Sequence, residues 1–262
     1  MRISPRPLAA AALALLFFVL PGAHARTETA SPPVIDAAAL EQLVAAEMRE
    51  KSIPGLALAI VHNGKPLLVR GFGKANLEHD LPVTPDSVFM VGSISKPMLA
   101  VGVMLLAEQG KLKLDDPVSK HIPGTPESWR GITLRHLLNH TSGIRRESPA
   151  FDGDKAVPDI DLITATFASP LDFPTGTKNQ YCNVCYFTLA EIISRVSGQR
   201  WPQFMASRVF ALAGMPATRT ASPTALVSRR AASYAWRDGV HTNVREFVVL
   251  RPSGAFISSL ND

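Results

Sequence analysis

Between residues 35 and 72 the spacing of apolar positions changes from a helical period to that of two strands. Four apolar residues recur on one helical face: Leu40, Leu43, Val44 and Met48. Asp36 stands just before them, where an acceptor side chain commonly caps a helix N-terminus. Apolar runs at 56–61 and 67–72 flank Asn63-Gly64, the strongest short signal for a β-hairpin. The pattern predicts a helix followed by an antiparallel hairpin.

The middle of the chain is predicted to be mainly helical. Residues 90–109 have almost no polar face, which predicts a helix buried on all sides. Gly110 follows this segment, at the position where helices commonly end. The other predicted elements are a helix over 133–140 that ends at Ser142-Gly143, a loop over 145–158, an amphipathic helix over 187–196 before Gly198, and a helix over 201–213.

Strand signals are weak near the end of the sequence. Residues 246–250 and 255–258 are weak candidates, and Ser259 to Asp262 has the spacing of a capping box, which precedes a helix. One good hairpin and two weak strands make a poor sheet. We therefore expect that the C-terminal part of the domain is not included in this sequence.

The first 25 residues have the layout of a secretory signal peptide. Arg2 and Arg6 precede an apolar run at 8–20, and Ala23-His24-Ala25 is a small-x-small cleavage site. The run has 13 residues, fewer than the about 20 that span a bilayer, although a retained anchor is the alternative. No cysteine for lipidation is nearby. The predicted organisation is a signal peptide at 1–25, a flexible lead-in at 26–34 and one domain at 35–262, in a secreted or periplasmic protein with no stable membrane insertion after cleavage.

Composition supports a globular domain and narrows its partners. With 46% hydrophobic and 19% charged residues, the 262-residue chain can bury a core. This balance excludes a disordered tail and a collagen-like chain, and two cysteines exclude a disulfide-dense miniprotein. The net charge of +5 is not gathered in one dense block. Nucleic acid is therefore not an expected partner of this exported chain.

Ser93-Ile94-Ser95-Lys96 brings a hydroxyl and an amine within reach of each other. Positions i and i+3 of a helix share one face, and a serine becomes a good nucleophile when a neighbouring base takes its proton. Burial and the positive end of the helix dipole both favour the neutral form of Lys96. The Ser93 N–H could bind a developing oxyanion. On the pattern alone, a helix cap followed by a surface lysine is the alternative.

Two downstream segments strengthen the catalytic interpretation. Residues 132–144 read Ile-Thr-Leu-Arg-His-Leu-Leu-Asn-His-Thr-Ser-Gly-Ile, and Tyr181-Cys182-Asn183 follows Pro174-Thr175-Gly176. Together with residues 89–96, these segments closely resemble the serine β-lactamase and penicillin-binding protein family, in its class C-like branch. The resemblance extends from about residue 35 to residue 262.

The resemblance implies a fold and a set of roles. The fold is of the α/β class (α+β type), with an antiparallel sheet flanked by helices, a mostly helical region from about 93 to 214, and the C-terminal strands missing. The site lies between sheet and helical region, where Ser93 meets Tyr181. Ser93 would be the nucleophile, Lys96 the base, Tyr181 a proton relay, and Asn183 the residue that holds substrate and lysine. Which of lysine and tyrosine removes the proton is left open.

The chain departs from the family pattern in two places. The third motif, Lys-Thr-Gly or His-x-Gly on a strand, is not found after Asn183. The second motif carries Cys182, with Cys185 nearby, where the family usually has serine and glycine. We expect two packed thiols, with a disulfide or redox motif as alternatives and zinc less favoured. His136 and His140 are expected to be structural, because no glutamate completes a zinc motif.

These observations predict an exported serine hydrolase that acts through an acyl-serine intermediate, without metal or cofactor. The expected substrates are β-lactams, D-amino-acid peptides or esters, including peptidoglycan-like molecules. The alternative is a catalytically impaired remnant, or a non-catalytic cell-wall-binding protein of the same fold.

Overall fold

The computed structural model describes residues 35–155, 157–222, 224–244 and 251–262. The predicted signal peptide and lead-in, and the strand candidate at 246–250, lie outside these ranges. Across the described ranges, no helix combines the length and the apolar character that crossing a bilayer requires.

The predicted opening helix and hairpin are confirmed. Helix α1 spans Ala37–Glu50, and the Asp36 carboxylate accepts hydrogen bonds from the N–H groups of Ala38 and Ala39 at 3.0 Å. Strands β1 (Gly55–His62) and β2 (Lys65–Asn76) pair antiparallel, and the short strand β3 (Leu81–Pro82) joins β2. Asn63 and Gly64 both have positive φ, as the tight two-residue turn requires.

The remaining strands are short and form two further antiparallel groups. They are β4 (Phe89–Met90), β5 (Arg219–Thr220), β6 (Tyr234–Arg237), β7 (Val240–Asn243) and β8 (Phe256–Ser258). Strand β8 lies between β4 and β5, while β6 and β7 form a hairpin. The predicted strand at 255–258 is therefore confirmed. It is fully buried, and its Phe256 backbone bonds with Val91 and Ser95 on the segment that leads into the next helix.

The helix predicted over 90–109 starts later and is less buried than expected. Met90 pairs with Ile257 in the sheet, and residues Gly92–Ile94 form one 3-10 turn before helix α2 (Ser95–Glu108). Val101 and Met104 are about half exposed, at 53% and 49%. The apolar sequence did not reveal that Val101 and Met104 face solvent, because hydrophobicity alone does not show which residues are covered by a neighbouring element.

The rest of the domain is mostly helical, as predicted, although several boundaries differ. The helices are α3 (Leu134–Leu138), α4 (Asp159–Thr164), α5 (Asn183–Ser197), α6 (Trp201–Met205) and α7 (Ala211–Ala213), with a π-helical turn at Ala206–Phe210. Helix α4 was not predicted. Helix α5 begins four residues before the predicted start and ends at Gly198, whose φ is +73°. Helix α3 ends before the predicted boundary, and His140 beyond it has a φ of +59°.

Helix α5 is the centre of the hydrophobic core. It packs against α2, α3, α4 and α6, and its residues include Leu189, Ile192 and Ile193, which are completely buried. The segment before its first turn and the segment before α2 both reach one edge of this core. Packing of α2 on α5 therefore brings together two parts of the chain that lie far apart in sequence.

A buried acid organises the loop between α2 and α3. The Asp116 carboxylate accepts hydrogen bonds from the Lys113 N–H (2.8 Å) and from the side chains of Lys120 (2.8 Å) and His121 (3.3 Å). Burial raises the pKa of Asp116, but the hydrogen bonds and the Lys120 charge outweigh it and lower the pKa to about 2. Its ionised form therefore stabilises the folded loop.

Candidate active site

Ser93 lies on the exposed 3-10 turn, while Lys96, one turn further along, is 4% exposed. Strand β8 fixes this turn from both sides. The Val91 N–H donates to the Phe256 carbonyl at 3.1 Å, and the Phe256 N–H donates to Ser95 Oγ at 3.0 Å. The turn thus presents an accessible hydroxyl beside a buried amine.

Three of the four predicted site residues meet at one oxygen atom. Ser93 Oγ accepts a hydrogen bond from the Tyr181 hydroxyl at 2.5 Å and another from Lys96 Nζ at 3.2 Å. Lys96 Nζ also donates to the Ser253 carbonyl at 3.0 Å and lies 4.5 Å from the centre of the Tyr181 ring. The structure therefore brings Ser93, Lys96 and Tyr181 together, although Tyr181 is 88 positions from Ser93.

The pKa values of the Lys96 amine and the Tyr181 hydroxyl are both lowered from their ordinary values. Burial lowers the pKa of Lys96, against the opposing effects of Tyr181 and the Glu147 charge. For Tyr181, burial raises the pKa, but hydrogen bonds with Lys96 and Ser93 and the positive charges of Lys96 and Arg146 outweigh it and lower the pKa. Either group can thus give up its proton more readily than it would in water, so the pair is suited to accept the proton of a serine hydroxyl.

Asn183 is in the same site but has a different partner from the one expected. It is the first residue of α5, and its N–H donates to the Arg146 carbonyl at 2.9 Å. Its side-chain amide donates to the Glu147 carboxylate. This hydrogen bond goes to Glu147 and not to Lys96, the partner that the family resemblance implied. Asn183 also lines the cavity beside Ser93, where it can contact a substrate.

Cys182 and Cys185 form a disulfide, so the expectation of two packed thiols is wrong. Cys182 is the N-cap of α5 and Cys185 lies in its first turn, which places their Cα atoms 5.4 Å apart, within the usual range for a disulfide. Both residues are completely buried. The cross-link joins the residue between Tyr181 and Asn183 to the helix that follows.

Ser93 opens onto a cavity of about 230 Å³. Its lining combines apolar, small and charged residues: Met90, Gly92, Ser93, Glu147, Phe151, Asn183, Phe187, Arg251, Ser253 and Gly254. Glu147 and Arg251 were not predicted from the sequence, because neither residue belongs to a recognisable motif. Arg251 is 5% exposed and donates to the carbonyls of Val157 at 2.6 Å and Lys155 at 3.0 Å. The cavity therefore has an acidic and a basic residue beside the serine.

The two histidines of residues 132–144 have backbone partners. His136 Nδ1 accepts a hydrogen bond from the Thr133 N–H at 3.2 Å and completes a capping box at the start of α3. His140 Nδ1 accepts from the Cys182 N–H at 3.1 Å, and its ring stacks on Tyr181. Within the described ranges, no group of three or more His, Cys, Asp or Glu side chains is placed to hold a metal ion.

The chain is similar to known proteins both in sequence and in fold. The family model described as Beta-lactamase matches residues 40–262. The putative penicillin-binding protein PbpX of Bacillus subtilis is 35% identical over 174 residues, which are 66% of this chain and 43% of that protein. The matched segment therefore covers less than half the length of that relative.

Solved structures show the same fold. The octameric penicillin-binding protein homologue from Pyrococcus abyssi has a TM-score of 0.75 at 27% identity, covering 87% of this chain and 54% of that one. The D-amino acid amidase from Ochrobactrum anthropi SV3, solved with D-phenylalanine, has a TM-score of 0.71 at 22% identity, covering 81% and 64%. The predicted fold class, a mixed arrangement of helices and antiparallel sheet, is thereby confirmed.

Proposed function

The chain belongs to the β-lactamase family, and we propose that it is an exported serine hydrolase that forms an acyl-enzyme on Ser93. One observation carries the proposal: Ser93 Oγ, on an exposed turn, receives hydrogen bonds from both Tyr181 and Lys96. A nucleophile bonded to groups that can take its proton is the arrangement that covalent catalysis requires.

The reaction proceeds in two halves. The Lys96–Tyr181 pair takes the proton of Ser93, whose oxygen attacks the substrate carbonyl and forms an ester bond. The pair then protonates the departing nitrogen or oxygen as its bond to the carbonyl carbon breaks. In the second half, the same pair activates a water molecule that hydrolyses the ester and restores the serine. The Ser93 N–H is the donor that we expect to stabilise the oxyanion.

The cavity supports a small acyl substrate with both apolar and polar parts. Apolar contact is available from Met90, Phe151 and Phe187, and polar contact from Asn183 and the two charged residues. We propose β-lactams, D-amino-acid peptides or esters as the substrate class, including peptidoglycan-like peptides. The penicillin-binding relative and the D-amino acid amidase structure support this range. The predicted signal peptide and the disulfide support a secreted or periplasmic location.

Active-site labelling tests the proposal. The purified chain is treated with a fluorescent penicillin and, separately, with a fluorophosphonate probe. We expect covalent labelling that is lost in Ser93→Ala but kept in Ser207→Ala, because the exposed Ser207 hydroxyl donates to the Gln203 carbonyl and does not line the cavity. Peptide mapping identifies the modified residue.

Two outcomes would contradict the proposal. Labelling that persists in Ser93→Ala would place the nucleophile elsewhere. No labelling of a folded wild-type sample by either probe would favour the catalytically impaired remnant or the non-catalytic wall-binding protein.

A further inference from the structure

His140 clamps the segment that carries Tyr181. The Gln180 N–H donates to the His140 carbonyl at 2.9 Å, and the Cys182 N–H donates to His140 Nδ1 at 3.1 Å. One residue thus holds the backbone on both sides of Tyr181. The His140 ring also stacks on the Tyr181 ring, with centroids 4.8 Å apart and planes inclined by 29°.

From this geometry we propose that His140 is a positioning residue whose neutral ring holds Tyr181 against Ser93 and whose protonation releases it. The inference rests on the proposed function, because it assigns the regulation of the same site. His140 is not one of the residues that line the cavity, and its ring contacts the Tyr181 segment, so it acts through Tyr181. The 2.5 Å hydrogen bond from Tyr181 to Ser93 depends on where this segment is held.

The contact requires an unprotonated Nδ1. A backbone N–H can donate only to a nitrogen with a free lone pair, and an imidazolium has N–H groups on both nitrogens. Protonation would place two N–H groups opposite each other between His140 and Cys182. The clamp then has no acceptor on the Cys182 side, and Tyr181 loses one of its two backbone anchors.

The surroundings favour the neutral ring. Burial lowers the pKa of His140, and the positive charge of Lys96 lowers it further. From α5, the Tyr186 ring lies 5.3 Å from the histidine ring, and the Tyr186 hydroxyl donates to the Leu138 carbonyl. The Tyr181 ring stacks on the histidine ring. The Arg146 guanidinium carbon lies 5.3 Å from the centre of the Tyr181 ring. These described neighbours place no carboxylate against His140, so we expect the clamp to be intact near neutral pH and to open only below the pH at which an ordinary histidine is protonated.

Backbone conformation provides a matched substitution. His140 has a φ of +59°, in the left-handed region that asparagine tolerates better than most residues. Asparagine Oδ1 stands close to where histidine Nδ1 stands and can accept the same N–H. His140→Asn therefore keeps the acceptor and removes the titration. His140→Phe keeps a ring for stacking but removes the acceptor.

The experiment measures the rate of Ser93 acylation by an activated ester as a function of pH. The Lys96–Tyr181 pair has to lose one proton before it can act as a base, so the plot of log rate against pH already falls in acid with a slope of about 1. Protonation of His140 at the same low pH should steepen this slope toward about 2. We expect His140→Asn to return the slope to about 1 while keeping the neutral-pH rate within roughly tenfold. We expect His140→Phe to lower that rate by roughly 10- to 100-fold at every pH, as loss of orientation does.

His136→Asn is the control. His136 Nδ1 also accepts a backbone N–H, from Thr133 at 3.2 Å, but its ring does not contact Tyr181 among the described ring contacts. We expect this variant to keep the steep limb. Circular dichroism at each pH separates loss of rate from loss of fold. An acid limb that is equally steep in wild type and His140→Asn would overturn the proposal.

If the wild-type chain is not acylated at all, the proposed function fails but the clamp can still be tested. In an NMR titration, the Cys182 amide should shift at a pH below the ordinary histidine pKa, and the shift should be absent in His140→Asn. A Cys182 amide that does not respond to pH in that range would overturn the clamp independently of activity.

Discussion

Reduction of the Cys182–Cys185 disulfide should cost measurable stability. The cross-link has a sequence separation of 3, so it closes a loop of four residues. In the chain-entropy description, such a loop restricts the unfolded chain by about 6 cal/mol/K, which is about 2 kcal/mol at 25 °C. Because both cysteines are fully buried, the reduced protein has to be prepared by unfolding in reductant and refolding.

Urea denaturation of the oxidised and reduced proteins measures the difference. With a slope of about 2 kcal/mol per molar urea, the midpoint should fall by about 1 M on reduction. The double variant Cys182→Ser/Cys185→Ala is the control, because serine keeps an acceptor at the N-cap of α5 and the midpoint should no longer depend on reductant. Equal midpoints for oxidised and reduced wild type would refute the entropy argument. Two alkylated thiols in the unreduced, denatured protein would refute the disulfide itself.

Three further predictions concern the catalytic pair, the buried acid and a constrained glycine. Lys96→Ala should lower acylation by roughly 100- to 10,000-fold, as loss of a general base does, and Tyr181→Phe by less; a Lys96→Ala enzyme with most of its rate would contradict the assignment. Asp116→Asn should lower the urea midpoint at neutral pH. Since the pKa of Asp116 is lowered to about 2, the wild type should lose this advantage as the pH falls from about 4 toward 2, and a constant difference would contradict the linkage. Gly143→Ala should destabilise the fold by roughly 1–3 kcal/mol or more. The new Cβ would lie 2.2 Å from the Phe173 carbonyl oxygen, and the φ of +82° is unfavourable for alanine. An unchanged melting temperature in thermal unfolding would contradict this prediction.

Local signals predicted the parts of the fold that depend on neighbouring residues. The Asp36 cap and the Asn63-Gly64 turn are determined within a few positions, and both were found where the sequence indicated them. The pairing of Met90 with Ile257 depends on residues far apart in sequence, and no periodicity reveals it. That pairing is why the helix predicted from residue 90 begins at Ser95.

The parts of the candidate site that could be predicted are those in which the spacing along the chain itself brings two residues into contact. Ser93 and Lys96 lie three positions apart, and the structure brings them together. The spacing of Cys182 and Cys185 fits both free thiols and a disulfide, so the sequence could not decide between them. Glu147 was not predicted, because its relation to Asn183 comes from a loop whose conformation leaves no repeated pattern.

The bonds between β8 and the Ser93 turn have a consequence for the order of events during folding. The Phe256 N–H reaches Ser95 Oγ across 161 positions of sequence, and contacts of such high sequence separation form late, because a long loop has to close first. We therefore expect Ser93 to gain its full reactivity only after the strand that contains residue 256 has docked. In refolding experiments, reactivity toward an acylating probe should be acquired with the last phase, after most helical signal has returned; reactivity that precedes this phase would show that the turn is competent without β8. The turn that carries the nucleophile is thus fixed by a strand that lies far along the chain.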